Sequence, residues 1–513
     1  MTDPRRVLHP ATPGLPHAAY LSARPTVAVV GAGIAGLTAA TTLAERGVQV
    51  HLYEREPYLG GRVAGWTETL PDGTPTAMNR GFHAFFRQYY NLRNILRRID
   101  SDLGMFTPLN DYPLIDADGH RDTFRGLPRT PPFNAMAFAL RSPTFRMRDM
   151  MQLDAKAAAP LAKVSVPQTY WQLDDQDAES FLQAINFPVA ARHLAFEVFS
   201  RSFFTRPEAL SAAELATMFH IYFLGSNEGL VFDVAASNFD VALWRPLEQY
   251  LRRYDVRVRT GTPVHRVTPD GAGFVVADGS GGTLRADGVV IASEVGALQR
   301  IVADSPGLGD TEWRYRVGEL GSAAPFVVRR LWLDRPVLAD RPAFLGTGGL
   351  PPLDNISVLN RYESEATNWA QRTGGAVVEL HAYSVTEDSA QLRAQLDARL
   401  HELYPETAGA GVVHEVTLCR SDCPRLGPGD FARRPTVRTA QPGLVLAGDG
   451  IRIDLPVALM ERAATTGLAA ANALLDRFGV RGHDMYTVPV RGRSAVLRRL
   501  AGRADRSAGR VPA

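Results

Sequence analysis

The segment that most constrains this chain is residues 26–62, TVAVVGAGIAGLTAATTLAERGVQVHLYEREPYLGGR. Residues 26–30 are a short, β-branched apolar run, the pattern of a buried parallel strand. Residues 34–46 set Leu37, Ala40 and Leu43 at helical spacing, and Gly47 stops the helix. Residues 48–53 read as a second strand. Gly31, Gly33 and Gly36 follow the first strand and open the helix as GxGxxG. The first glycine permits a tight turn, the second lets a pyrophosphate approach the backbone, and the third lets the helix pack close on the strand. A diphosphate then sits at Ile34 and Ala35, on a helix N-terminus whose free N–H groups and dipole favour negative charge. Glu54, with Arg55 beside it, ends the second strand, placed to bond a ribose hydroxyl. An acid there repels a 2′-phosphate, which disfavours NADP. The predicted class is α/β, with a Rossmann-like dinucleotide domain at its start.

The chain has 513 residues, 45% hydrophobic and 21% charged, which allows two or three domains and excludes a disordered or disulfide-scaffold protein. Fifty-six basic and 54 acidic residues give a net charge of +2, so the total gives no indication of nucleic acid. Only Lys156 and Lys163 are lysines, which leaves almost no Lys for catalysis. Cys419 and Cys423 suggest a reducing compartment, and their CxxxC spacing with His414 does not assemble four zinc ligands, so no metal site is expected. No run reaches the roughly 18 apolar residues of a spanning helix. Residues 1–24, rich in Pro, Ala and Arg, lack the apolar region of a secretion signal. The expected location is the cytoplasm, with contact at the inner face of the cell membrane left open.

Further along, residues 82–100 read as a continuing helix, and residues 101–255 as Phe-rich and mostly helical. Two helices broken at Arg206-Pro207 are expected over 190–224. Residues 256–293 change to strands and turns, residues 376–383 are strand-like, and residues 443–447 are a last buried strand before a helix over 458–475. The implied organisation is a flexible segment 1–24, a discontinuous cofactor domain of 25–100, 256–300 and 436–478, an inserted mixed helical/β substrate domain of 101–255 and 301–435, and a basic tail 479–513.

GxGxxG alone does not separate NAD from FAD. Two further elements do: Leu59-Gly60-Gly61-Arg62, and Ala447-Gly448-Asp449 followed by Met460-Glu461-Arg462-Ala463-Ala464-Thr465-Thr466-Gly467. Together they resemble the FAD-binding amine oxidase and carotenoid desaturase superfamily, with its glutathione-reductase-like FAD domain. The resemblance implies that Gly60, Gly61 and Arg62 run beside the diphosphate and that Asp449 binds the ribityl-diphosphate region. It also implies that the helix at Met460 aims its N-terminus at the flavin and that the backbone of Val264 meets the adenine. No Cys lies near 447–467, so FAD is expected to be non-covalent.

Residues 79–93, NRGFHAFFRQYYNLR, combine one His, five aromatics and three Arg. GFHAFFRQYYNLR, HLAFEVFSRSFF (193–204), ELATMFHIYFLGS (214–226) and LPVALMERAATTG (455–467) resemble the isorenieratene synthases, bacterial carotenoid β-ring desaturase/methyltransferases, over about 25–475. That resemblance implies oxidation of a β-ring, as in β-carotene to isorenieratene. Two methyls share one ring carbon, so one must migrate while four hydrogens leave. The protein would orient the ring, exclude water and stabilise a cation on aromatic faces. Phe85, Phe86, Tyr89, Phe203, Phe204, Phe219, Tyr222 and Phe223 are the candidates for those faces, and plain core packing is the alternative for each. His83 and Glu228 are candidate proton acceptors, with a His satisfying a backbone carbonyl as the bland reading. A carotenoid must come from a membrane, and residues 131–151, with Arg141, Arg146 and Arg148, suit an interfacial segment or else a buried helix with a basic face. The electron acceptor is expected to be a quinone or dioxygen. Competing readings are a flavin amine oxidase on a soluble amine, a carotenoid desaturase without methyl shift, and a carotenoid-binding protein with structural FAD.

Overall fold

The computed structural model describes residues 3–143, 151–154, 156–188, 202–492, 495 and 499. Thr26–Val30 is the centre of a five-stranded parallel sheet. Gln49–Tyr53 pairs on one side and Gly288–Ile291 on the other, with Arg257–Arg259 and Leu444–Leu446 outermost. Four stretches far apart in sequence thus build one sheet. The central strands Thr26–Val30 and Gly288–Ile291 are rich in β-branched residues because both faces are covered, while Arg257 and Arg259 on the edge strand are exposed. Ile34–Glu45 and Leu459–Arg477 pack together over one face. Their approach depends on missing side chains: a Cβ at Gly36 would lie 1.8 Å from the Gly31 carbonyl oxygen, and one at Gly467 2.2 Å from that of Ala35.

A second sheet has seven strands, in the order Val412–Arg420, Phe326–Leu333, Ala376–Ala382, Asn355–Val358, Phe344–Gly348, Leu114–Asp116 and Arg121–Asp122. One face buries Val378, Leu380 and Ala382 against the helix Ala390–Leu403. The other face packs Val328, Trp332 and Val377 against Met78 and the helix Ser364–Thr373. A helical layer of Gln168–Leu173, Ala178–Ala184 and Ala212–Phe219 closes the third side.

Three expectations need correction. Residues 82–100 are not one helix: Phe85–Phe86 is a strand paired with Phe232–Ala235, and only Tyr90–Leu96 is helical. Strand pairing and burial of Phe85 override the local spacing. Residues 101–255 are mixed, with strands at Phe106–Pro108, Leu114–Asp116, Arg121–Asp122 and Phe232–Ala235. The ends are not loose over their described parts: Val7–His9 pairs antiparallel with Met485–Thr487, and Gly492 N–H donates to Val164 O at 3.1 Å. Of the two helices expected over 190–224, the first falls at 189–201, outside the described residues. The second is Ala212–Phe219, which widens into a π turn at His220–Leu224.

Candidate active site

A cavity of about 690 Å³ opens at the C-terminal ends of the parallel strands, touching Val30, Tyr53 and Ala447. Doubly wound sheets bind ligands at this edge. Gly31, Gly33, Ile34, Ala35, Glu54, Arg55, Gly60, Gly61, Arg62, Val264, Asp449 and Met460 all line it. Gly36 does not; it sits one turn back, as helix–strand packing requires.

Glu54 is fixed from two sides. Its Oε2 accepts from Ala32 N–H at 2.7 Å and its Oε1 from Glu56 N–H at 2.9 Å, while burial pushes its carboxyl upward. Arg62 Nη1 donates to Asp449 Oδ2 at 3.0 Å, a second Arg62 N–H meets Oδ1, and this pair spans the cavity wall. The carboxylate holds the Arg62 guanidinium well above its ordinary range despite burial. Arg55 is half exposed and pairs with Glu56 at 3.1 Å. The helix Leu459–Arg477 starts at this wall with no side-chain cap, so its first N–H groups are open to a ligand. Glu461, in that first turn, points away and accepts from Asn91 N–H at 2.8 Å and Leu92 N–H at 3.0 Å, capping Tyr90–Leu96.

FAD fits this set. A glycine-lined diphosphate cradle, an acid at the ribose position and an uncapped helix end share one wall. Ser293 Oγ lies buried at the same wall without a hydrogen-bond partner among the described residues, a polar atom left for a ligand. FAD supplies hydride acceptance when bound.

The cavity continues into an aromatic chamber. His83, Phe86, Tyr89, Phe203 and Phe204 line it, as do Phe82, Tyr112, Phe232, Phe344 and Tyr383, which sequence reasoning missed. Phe82 belongs to the GFHAFF segment beside His83; the other four come from strands and loops distant in sequence, and no local motif marks them. His83 Nδ1 lies 2.9 Å from Gly81 O, and desolvation pushes the imidazole down to about 4. The ring is therefore neutral at pH 7, Nδ1–H donates to the carbonyl, and Nε2 carries the lone pair. The bland reading holds for one nitrogen and leaves the other for chemistry.

Five candidates fall elsewhere. Glu228 Oε2 accepts from Asp3 N–H at 3.1 Å beside a separate polar cleft with Arg6 and Arg93, because residues 226–228 turn back toward the N-terminus. Phe85 is fully buried against Phe106, 4.6 Å between centroids. Tyr222 stands behind the chamber, its hydroxyl 3.0 Å from that of Tyr89. Phe223 packs near Phe138 at 6.1 Å and Phe219 stacks on Phe223 at 5.2 Å, both turned from the chamber. Cys423, by contrast, does line the cavity beside Arg62, brought there by the seven-stranded sheet; burial pushes its thiol up to about 12. Neither Lys156 nor Lys163 touches the cavity. Arg146 and Arg148 lie outside the described residues.

The parallel sheet, the cradle and the enclosed chamber define a flavin-dependent oxidoreductase. Residues 34–475 match the family of flavin containing amine oxidoreductases. The chain is 56% identical to a carotenoid phi-ring synthase of Streptomyces griseus, over 98% of this chain and 97% of that one. It is 29% identical to a carotenoid phi-ring synthase of Chlorobaculum tepidum, over 90% of each. Among solved structures, a putrescine oxidase redesigned at its cofactor site superposes with a TM-score of 0.65 at 16% identity, over 88% of this chain and 99% of that one, a likeness of fold. The chain belongs to the flavin containing amine oxidoreductase family and, within it, to the carotenoid phi-ring synthases.

Proposed function

We propose that the protein converts a carotenoid β-ring into an aromatic ring with a 1,2-methyl shift, using FAD held non-covalently. The observation that carries this is a single cavity joining the cofactor cradle to a chamber walled by aromatic rings. Likeness to the Streptomyces griseus protein along nearly the whole chain supports it. Lysine is absent from the cavity wall among the described residues, which disfavours the amine-oxidase reading.

The chain's residues divide the work. Glu54, Arg62, Asp449 and the helix end at Met460 hold the cofactor. Phe82, Phe86, Phe204 and Phe232 exclude water, and their faces stabilise positive charge on the ring without attacking it. His83 Nε2 accepts a proton from the ring. Cys423 stays protonated and takes no part in a flavin bond. The electrons pass from the cofactor to a quinone or dioxygen.

The substrate arrives from a lipid surface. Among the described residues no helix is long and apolar enough to cross a membrane. The helix Phe133–Arg141 instead exposes Phe133 (59%), Met136 (53%) and Leu140 (64%) along one stripe. Stacked rings run inward from it: Phe138 on Phe124 at 4.9 Å, Phe124 on Tyr112 at 4.3 Å, then Tyr112 to Phe232 at 4.6 Å on the chamber wall.

Expression in a β-carotene-producing bacterium tests the reading. The expected pigment lacks four hydrogens per modified ring, retains all its carbons, and shows the moved methyl by NMR. Unchanged β-carotene in cells holding flavin-loaded enzyme overturns β-carotene as substrate; a desaturated ring with both methyls in place overturns the shift.

A further inference from the structure

Taking a β-ring to an aromatic ring removes four hydrogens, as two hydrides and two protons, so two proton losses are needed per ring. His83 offers one acceptor. A second polar group reaches the same chamber from the seven-stranded sheet.

Glu379 and His381 sit two apart on Ala376–Ala382, so both lie on the face opposite Val378 and Leu380, and Tyr383 follows on the same side. Glu379 pairs across the strands with Arg330, whose Nε and Nη2 donate to Glu379 Oε2 at 3.0 and 2.9 Å. His381 Nε2 lies 2.8 Å from Glu379 Oε1, and His381 Nδ1 lies 2.7 Å from the Tyr383 hydroxyl. On the other neighbouring strand Asn355, opposite His381 in register, donates from Nδ2 to the Tyr383 oxygen at 3.0 Å. Glu379 and His381 are buried, while Tyr383 lines the chamber with its ring 4.9 Å from that of Phe204.

Arg330 keeps Glu379 a carboxylate, held down to about 2. Two groups compete for Nε2, the Glu379 carboxylate at 2.8 Å and the Phe82 N–H at 3.3 Å; the shorter, charge-assisted bond prevails, so Nε2 carries the proton, Nδ1 is the acceptor and the Tyr383 O–H donates to it. The order is that of an activated hydroxyl: an orienting carboxylate, a neutral imidazole base and a hydroxyl at the site. The loop bearing His83 rests on the same imidazole: Phe82 N–H approaches His381 Nε2 at 3.3 Å, and a Cβ on Gly81 would come within 2.8 Å of His381 Cε1.

We infer that Tyr383, with His381 and Glu379 behind it, is the second proton acceptor of the ring oxidation, an inference that rests on the carotenoid reading above. A C–H bond beside the cationic carbon breaks and its electron pair becomes a ring double bond. The proton goes to the Tyr383 oxygen as the Tyr383 hydroxyl proton passes to His381 Nδ1. The resulting imidazolium is balanced by the Glu379 carboxylate, so no further co-reactant is required. Tyr383 is the catalytic residue; His381 and Glu379 are positioning residues.

The test compares purified wild type, Tyr383→Phe and His381→Gln, each supplied with β-carotene in detergent and scored for flavin content, anaerobic bleaching of the flavin by substrate, and pigment. Phe removes one oxygen and leaves the ring against Phe204; Gln retains hydrogen bonding at His381 without a titratable nitrogen. Both variants are expected to hold flavin and to bleach, because proton loss follows the oxidation. Aromatic product per flavin is expected to fall about 100-fold or more, within the range for loss of a general base. A ring short of only two hydrogens takes its place. Aromatic product at the wild-type yield per flavin in either variant overturns the relay, as does a loss of product that only tracks lost flavin. A wild-type enzyme that binds flavin but neither bleaches nor changes the carotenoid overturns the underlying reading instead.

Discussion

At the residue scale, Gly33 separates folding from cofactor binding. Its backbone is extended, with φ −74° and ψ −178°, and a Cβ there would meet only Gly61 Cα, at 3.9 Å. A side chain is therefore tolerated by the fold and fills the diphosphate cradle. Gly33→Val is expected to leave far-UV circular dichroism unchanged and lower flavin per protein about tenfold or more, from the cost of overpacking. A variant that purifies yellow with full flavin refutes the cradle. His83 carries a pH prediction. Desolvation pushes it down from 6.5 to about 4; with the neutral form as the proposed acceptor, the acid limb of kcat/KM is expected near pH 4 rather than near 6.5. The same shift costs stability as pH falls through that window, because the unfolded chain takes up a proton that the native imidazole refuses. His83→Gln removes that limb along with most of the turnover. Acid precipitation probes Cys423: with its thiol held at about 12, all flavin is expected in the supernatant, and flavin retained in the pellet contradicts non-covalent binding.

At the scale of elements, the join between the cofactor-facing helix and the helical layer is electrostatic. Glu214, on Ala212–Phe219, accepts from Arg462 Nη2 at 2.6 Å, Arg434 Nη2 at 2.9 Å and the Tyr170 hydroxyl at 2.9 Å. All four groups are buried. Glu214→Ala leaves two buried guanidinium groups without their carboxylate and is expected to cost about 3–5 kcal/mol, read as a lower urea midpoint of the flavin-loaded protein. An unchanged midpoint would mean that water replaces the carboxylate. Elements whose determinants are local were legible in the sequence: Thr26–Val30 carries its own β-branched run, Ile34–Glu45 its own spacing, and the glycine turn between them its own chemistry. Elements of two or three residues, such as Phe85–Phe86 and Val7–His9, exist only because a distant strand pairs with them, and nothing within them announces it. The candidate site divides the same way. The glycines and acids proposed to hold the cofactor come from local motifs and line one cavity, whereas Tyr383 and Asn355 reach the chamber through a sheet of distant strands. Glu228 was misplaced because a local aromatic-rich context does not show that the chain turns back beyond it.

At the scale of the whole molecule, the proposed carotenoid substrate calls for a route from lipid to the chamber, and the described surface offers an apolar stripe joined to it by stacked rings. Phe133, Met136 and Leu140 recur at helical spacing on the solvent side, while Asn134 and Phe138 turn inward. Arg125 and Arg141 flank the stripe, Arg141 Nη1 donating to Arg125 O at 3.1 Å. Cationic groups beside an apolar helix face suit an anionic bilayer, with the apolar stripe entering the headgroup boundary. Burying three such side chains partway contributes on the order of 3 kcal/mol, about 100-fold in partitioning. The triple substitution Phe133→Ser, Met136→Ser, Leu140→Ser is therefore expected to weaken sedimentation with phosphatidylglycerol vesicles by about that factor. It should leave flavin content and turnover of detergent-solubilised carotenoid intact, because Phe138, where the stacked path begins, is untouched. Raised salt should weaken wild-type binding as the arginines are screened, and the variant's residual binding should fall further with it. Vesicle binding equal to wild type would place the lipid contact on another face. A variant that binds poorly yet draws carotenoid from vesicles at the wild-type rate would show that substrate enters the chamber without that contact.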